Sequence, residues 1–357
     1  MSRNIYRRNV RRSGRKQRGP AGPVYGAIDL GTNNCRLLLA EPYEQGFRVI
    51  DGFSRIVRLG EGLSKTGRLG DAAMERTLES LKICASKAKR LNARNVRCVA
   101  TEACRRAENG LEFLDKVTHQ TGLEFDIVTP EIEAGLTLSG CSPLLRTGHK
   151  KALLFDIGGG STEIMWVETP RGSAPHTRGM LSFPVGVVTL AEDYGHGTVT
   201  PDIYAEIQKK ISEKLDPFCK EHGIRDAIQG DEVQMLGTSG TVTTLGAIYL
   251  GLERYDRTRV DGLTIPFSNI RAISAKLAGM EMEDRRQIPC IGADRADLML
   301  MGCAILGAIC DRWPLNTLRA ADRGIREGLL QAMINADQGP LPHATNDGNA
   351  VASMASS

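Results

Sequence analysis

Asp29 and Asp156 each close an apolar stretch and stand two residues ahead of a glycine, in segments that align without a gap. Residues 27–41 read AIDLGTNNCRLLLAE and residues 154–168 read LFDIGGGSTEIMWVE, so Gly31 matches Gly158 at an offset of 127. Each copy is an apolar strand, a short polar loop and a second apolar strand ending in Glu. Carboxylates at strand ends are hard oxygen ligands of the kind Mg²⁺ takes. Backbone N–H groups in glycine turns suit phosphate oxygens. In the first loop Thr32, Asn33 and Asn34 add side-chain donors, and Arg36 lies just beyond. The motif DxGT alone is equally compatible with a tight turn. In the second loop Gly158, Gly159 and Gly160 precede Ser161 and carry no Cβ, so the main chain is free to approach a ligand.

Two further segments carry chemistry. The loop Gly237-Thr238-Ser239-Gly240-Thr241 follows an apolar strand and opens a helix, where free N–H groups attract an anion. Ser239 or Thr241 also serves there as an ordinary helix cap. Glu131 and Glu133 follow Pro130, which marks a helix start. Acids in a first helical turn complement the helix dipole. Glu133 is expected to face the cleft between the two halves, where hydrolysis needs a base to orient water.

The elements that must hold these residues alternate between strands and helices. Residues 24–28 and 36–40 form the first hairpin, 47–59 continue its sheet, and 96–100 and 125–128 add strands. Helices are expected over 72–91, 111–120 and 131–145 from their apolar spacing. The order repeats after Leu153, with a third strand near 180–182, a helix at 203–221, a strand at 233–236 and a helix at 242–250. Such alternation indicates a mixed α/β sheet in each half. Duplication implies two similar domains facing one another across a cleft. The domains are placed at residues 23–140 and 141–316, hinged over 141–151 where Pro143 and Gly148 interrupt the pattern. A last helix over 317–336 is expected to cross back onto the first domain.

Composition is that of a globular chain, 41% apolar and 25% charged in 357 residues. The apolar run 298–310 is shorter than the roughly 20 residues a membrane helix needs and reads as a buried helix. No secretory leader opens the sequence, so a cytoplasmic location is expected. The nine cysteines form no CxxC pair and the six histidines no metal spacing, which argues for reduced thiols and against zinc. The net charge of +4 mixes two populations. Residues 1–22 form a basic tail carrying Arg3, Arg7, Arg8, Arg11, Arg12, Arg15, Lys16 and Arg18 and no acid; with those removed the body is net acidic. The tail is either a solvated terminus or a contact for a polyanion. Residues 338–357, rich in Gly, Pro, Ala, Ser and Asn, read as a second disordered tail.

Taken in order, AIDLGTNNCRLLL, ATEACRRAENG, TPEIEAGL, FDIGGGSTEI and LGTSGTVTTLGA resemble the exopolyphosphatase and guanosine pentaphosphatase (Ppx/GppA) family over roughly residues 24–336. The resemblance implies two ribonuclease H-like domains of the actin-like ATPase superfold around an interdomain cleft. It implies Mg²⁺-assisted hydrolysis of the terminal phosphoanhydride of polyphosphate or of guanosine pentaphosphate. It further implies Glu133 as catalytic base with Glu163 beside it, Asp156 as metal carboxylate with Asp29 as a second, and Arg105 as a phosphate contact. Arg55 and Arg58 extend the basic path or sit on solvated surface. A sugar or acetate kinase and a non-hydrolytic alarmone-binding regulator are the competing readings. Participation of a monovalent cation and assembly into a homodimer are left open by the sequence. The family's usual Asp-x-Gly-Ser-Asn-Ser ends here in Asn34, which keeps a donor. Its Glu-Glu-Ala-Arg becomes Ile132-Glu133-Ala134-Gly135, which keeps the base and loses a neighbouring acid and an arginine.

Overall fold

The computed structural model describes residues 22–44, 46–195 and 199–338. The basic N-terminal tail and the C-terminal tail beyond Gln338 lie outside them. The first five strands are β1 (Val24–Leu30), β2 (Asn34–Tyr43), β3 (Gly46–Ile56), β4 (Ala93–Ala100) and β5 (Phe125–Ile127). They form one sheet in the order β3-β2-β1-β4-β5. The first three run antiparallel, and β1, β4 and β5 run parallel. The others are β6 (Lys151–Ile157), β7 (Thr162–Glu168), β8 (His176–Phe183), β9 (Val233–Thr238), β10 (Thr264–Pro266) and β11 (Thr317–Ala321). The second sheet runs β10-β11-β9-β6-β7-β8 with the same mixture of directions, β10 being added at its edge. The topology of the first sheet is therefore repeated in the second, as the internal alignment predicts. Paired mixed sheets of this order define the actin-like ATPase architecture.

Both sheets are covered on two faces, so their central strands are apolar on both sides. In β1 and β2, Ile28, Leu30, Leu37 and Leu39 face the helices Asp71–Arg90 and Gly110–Thr121. Tyr25, Ala27, Leu38 and Ala40 alternate onto the opposite face. That opposite face is covered by the last helix, Ile325–Gln338, through Leu329, Leu330 and Met333. In the second sheet Leu153, Phe155 and Ile157 pack with the helices Pro201–Glu221 and Met299–Arg312. Its other face is covered by Ala134, Leu138 and Cys141 of the helix Pro130–Cys141. Each sheet thus lends the helix that follows its last parallel strand to the other sheet.

The two exchanged helices cross at two glycines. A Cβ at Gly328 would lie 2.1 Å from the Leu136 carbonyl oxygen, and one at Gly140 would lie 2.1 Å from the Gly324 carbonyl oxygen. Gly328→Ala is therefore expected to force backbones apart. Overpacking of this kind costs about 1–3 kcal/mol, more than the roughly 1 kcal/mol of helix propensity that alanine returns. Urea unfolding should show a lower midpoint; an unchanged or raised one would refute the close crossing.

The structure departs from sequence expectation at the C-terminal end. Residues 317–321 are not the start of the last helix: they form strand β11 of the second sheet, paired parallel with β9. Pro314 precedes them, Asn316 takes a left-handed φ of 65°, and Leu318 and Ala320 alternate into the core at period 2. The helix begins at Ile325. The helix expected over 131–145 ends at Cys141 and tightens into a 3-10 turn at Ser142–Leu144, where Pro143 cannot continue it.

Candidate active site

The repeated hairpins bring their turns face to face. In the first, Gly31 N–H donates to the Asn34 carbonyl at 2.9 Å; in the second, Gly158 N–H donates to the Ser161 carbonyl at the same distance. A Cβ at Gly159 would lie 3.0 Å from Thr32 Cβ and 3.1 Å from Asn33 N; one at Gly160 would meet Thr32 Oγ1 at 2.7 Å. The glycines thus let one turn pack directly on the other, a reason the sequence does not reveal beside approach to a ligand. Both turns line one cleft of about 1380 Å³, together with Arg36, Glu133, Asp156, Ser239 and Gly240.

The hairpin registers place Arg36 opposite Asp29 and Glu163 opposite Asp156. At equivalent positions the first repeat carries a cation and the second a carboxylate. This asymmetry shapes the electrostatics. Burial raises the Asp29 carboxyl, and Arg36 and Arg326 oppose the rise. Asp156 is pushed up to about 8 by burial and then by Glu163, with Arg36 pulling down and Asp29 adding to the rise. Glu133 is raised well above the carboxylate range by burial and by Glu163, against the attraction of Arg105. Burial also raises Glu163, although hydroxyls of Ser161 and Ser182 donate to it. Four acids, Glu133 and Glu163 buried and Asp29 and Asp156 half-buried, crowd one another and leave the cleft short of positive charge at its base.

That deficit fits a hard cation. Among the described residues no three His, Cys, Asp or Glu side chains gather closely enough to hold an ion unaided. Mg²⁺ does not need them, since it takes one or two carboxylates, waters and substrate phosphate oxygens. Asp29 and Asp156, closing equivalent strands, are the carboxylates suited to it.

Glu133 lies in the first turn of the helix Pro130–Cys141, which Thr129 caps by accepting from Ile132 N–H at 3.4 Å. The Arg105 guanidinium fixes its carboxylate: Nη1 lies 3.3 Å from Glu133 Oε2 and donates to the Val128 carbonyl at 2.6 Å, while Nη2 donates to Glu102 at 2.8 Å. Arg105, expected to contact phosphate, is held between the two acids. Ser239 caps the helix Gly240–Tyr249 by accepting from Val242 N–H at 2.9 Å, and the same helix start faces the cleft.

Sequence reasoning missed several cleft residues. Glu102 follows β4 and touches the second turn, its Cγ 2.9 Å from where a Gly160 Cβ would stand. Arg295, in the segment ahead of Met299–Arg312, lines the cleft near Arg36, and that neighbour together with burial lowers its pKa. Among the described residues neither arginine makes an ion pair, and Arg295 donates only to Thr244 Oγ1, at 3.5 Å. Arg254 and Arg259 line the same cleft further along. No local pattern marks Arg295, because its neighbours are distant in sequence. Glu102 stands within the motif ATEACRRAENG, and its acidity next to Thr101 was the available signal.

The two expected basic-path residues divide. Arg55 lines the cleft and sits over the Phe53 ring at 5.4 Å. Arg58 reaches across to the second half, 3.0 Å from Asp297 and 3.2 Å from the Asp294 carbonyl oxygen. Beside it Gly62 N–H donates to Glu192 at 2.6 Å. These contacts latch the two halves at the cleft. Arg58→Ala should raise KM about two- to tenfold with a smaller change in kcat, because it removes closure and leaves the chemistry intact. A steady-state assay showing kcat falling alone would argue against a latch.

Two facing mixed sheets, with twinned glycine turns and the buried carboxylate of Glu133, line one cleft. Residues 39–336 match the model of the Ppx/GppA phosphatase family, and the chain belongs to that family. The guanosine-5'-triphosphate,3'-diphosphate pyrophosphatases of Aeromonas salmonicida and Aeromonas hydrophila are each 28% identical over 316 residues, covering 87% of this chain. The chain spans 60% of the length of those relatives. The crystal structure of the Aquifex aeolicus family member superposes with a TM-score of 0.73 at 26% identity, covering 89% of this chain and 99% of its own. An exopolyphosphatase from Cytophaga hutchinsonii shares the fold, with a TM-score of 0.78 at 21% identity over 88% of this chain and 98% of its own.

Proposed function

We propose that this chain hydrolyses the terminal phosphoanhydride of inorganic polyphosphate, releasing orthophosphate. The observation that carries this reading is the direct contact of the two glycine turns beside buried Glu133, at the base of a cleft whose further walls carry Arg36, Arg55, Arg254, Arg259 and Arg295. The terminal phosphate sits in the cleft against both turns, held by their N–H groups and by Thr32, Asn33, Asn34 and Ser161. Arg36 and Arg295 hold the next part of the chain. Asp29 and Asp156 would hold Mg²⁺, which would supply neutralisation of the phosphate charge. Glu133, oriented by Arg105, takes the proton of the attacking water, and burial and the neighbouring Glu163 strengthen it as a base by raising its pKa. A cytoplasmic setting accords with nine buried, unpaired cysteines. The basic tail is proposed to raise the local concentration of polyanion.

A second reading, hydrolysis of guanosine pentaphosphate to the tetraphosphate, is favoured by one feature. Past the arginines the cleft has partly apolar walls at Leu252, Tyr255, Cys290 and Ile291, which a nucleoside uses and a phosphate polymer does not. The names of the Aeromonas relatives point the same way. Phosphate release by the purified chain, with Mg²⁺ and each substrate in turn, decides between them. No release from either would sink both readings.

A further inference from the structure

The last helix, Ile325–Gln338, reaches the first sheet through a crossover, residues 322–324, that leaves strand β11 of the second. A polar cluster pins that crossover. Arg257 Nη2 donates to the Asp322 carbonyl at 2.5 Å and to Glu327 Oε1 at 2.6 Å, and Tyr255 Oη donates to Asp322 Oδ2 at 2.7 Å. The other oxygen of Glu327 accepts from Gly324 N–H at 2.9 Å, so the same carboxylate caps the first turn of the helix. Glu327 is 3% exposed and is not among the residues that line the cleft. Burial works against its charge, but Arg326 and Arg257 outweigh burial and lower its pKa.

We propose that Arg257 and Glu327 are positioning residues for the reaction: they tie the outer cleft wall, where the far part of the substrate lies, to the crossing helices, one of which carries Glu133. The inference rests on the polyphosphate reading above. Arg257 opens the short turn Arg257–Val260, which Asp256 caps. Arg254 and Arg259 flank it, both exposed, and line the cleft without an ion-pair partner among the described residues. One segment thus offers two cations to a polyanion and, between them in sequence, sends Arg257 to the crossover. Beyond Glu327 the contacts are close. Gly328 lies against the Leu136 backbone, since a Cβ there would stand 2.1 Å from the Leu136 carbonyl oxygen. Leu136 is about one turn beyond Glu133 in the helix Pro130–Cys141. Coupling between separated sites runs through packed contacts of this kind.

The consequence is one of rate. Phosphates far from the scissile bond speed hydrolysis only if their binding energy is used to orient the reacting groups. A chain long enough to reach Arg254 and Arg259 holds the wall. Arg257 then holds the first turn of the last helix, and that turn fixes the helix on which Glu133 meets the water. A substrate too short to reach the wall leaves the base less well placed. Long chains therefore gain in kcat, besides any gain in KM.

The test measures kcat and KM of the full chain with Mg²⁺ on tripolyphosphate and on long-chain polyphosphate. The unsubstituted chain should turn over the long chain about tenfold faster, a common size for coupling between sites. Arg257→Gln and Glu327→Gln should each bring the ratio of the two kcat values close to one. The double variant should lower it no further, because the two residues act as one unit. Tyr255→Phe keeps the ring and loses one hydrogen bond, so it should lower the ratio by about two- to threefold. It serves as the test if a charged variant fails to fold. Equal kcat on both substrates in the unsubstituted chain overturns the proposal, as does a ratio that folded variants leave unaltered while rates fall on both. A raised KM for the long chain in Arg257→Gln, with Glu327→Gln unaffected, makes Arg257 a substrate contact and overturns it as well. Each of those results leaves the hydrolase reading standing. No release from either polyphosphate sinks that reading and this inference with it.

Discussion

Glu133→Gln should lower the turnover of polyphosphate by about 10²–10⁴-fold, the range a positioned general base supplies, while the chain still binds substrate. The amide keeps the size of the carboxylate and can still meet Arg105 Nη1, which lies 3.3 Å from Glu133 Oε2. It cannot take a proton. Burial and the nearby Glu163 raise the pKa of Glu133, with Arg105 holding it down. The base is competent only when ionised, so kcat should rise with pH through that raised pKa and level off above it. Binding of a non-hydrolysed polyphosphate analogue, followed by calorimetry, should be nearly unchanged in the variant. A variant with normal turnover would remove Glu133 from the chemistry, and one that lost binding and turnover together would make it a structural residue.

The stability of the metal-free chain should fall as pH rises from mildly acidic to mildly alkaline, and Mg²⁺ should reverse the trend. Asp156 is the reason, since its carboxyl is displaced from 3.8 to about 8 by burial and by Glu163. A raised folded-state pKa means that the native chain holds a proton the unfolded chain has released. The stabilisation is complete below about pH 3.8, and it is lost as pH climbs through about 8. A tenfold difference in proton affinity between the folded and unfolded chains is worth about 1.4 kcal/mol, so the ceiling is of order 5 kcal/mol, and relaxation of the site will reduce it to a few. Mg²⁺ binds the ionised carboxylate and stabilises the native state by mass action. Melting temperatures across the pH range, with Mg²⁺ and with chelator, give the measurement. Asp156→Asn should flatten the metal-free slope and abolish most of the Mg²⁺ response. An unaltered slope in that variant would place the titrating group elsewhere.

The duplicated hairpins, the parallel strands that follow them and most helices could be read from periodicity, because each depends on residues close in sequence. Short continuous apolar runs set β1, β2, β6 and β7, and the recurrence of Asp, Gly and Glu at one offset showed two equivalent turns. The final strand β11 escaped, since five residues with a central arginine carry little alternation and its pairing partner is β9, some eighty positions earlier. Arg105 was picked out as a cation, but its partners Glu102, Glu133 and the Val128 carbonyl were not, because hydrogen-bond geometry is set by how β4 and the helix after β5 pack.

The amino-acid sequence by itself determined that this protein has two like halves, each ending a strand in an acid before a glycine turn, and which types of group line them. Folding alone decided that Gly159 and Gly160 press against Thr32 and Asn33, that Arg295 faces Arg36, and that Gly140 and Gly328 let the exchanged helices cross. The physical reason is one of range. Propensity and hydrophobic period act over a few residues, whereas the charge balance and close contacts of the cleft arise between segments that meet only when both sheets have packed.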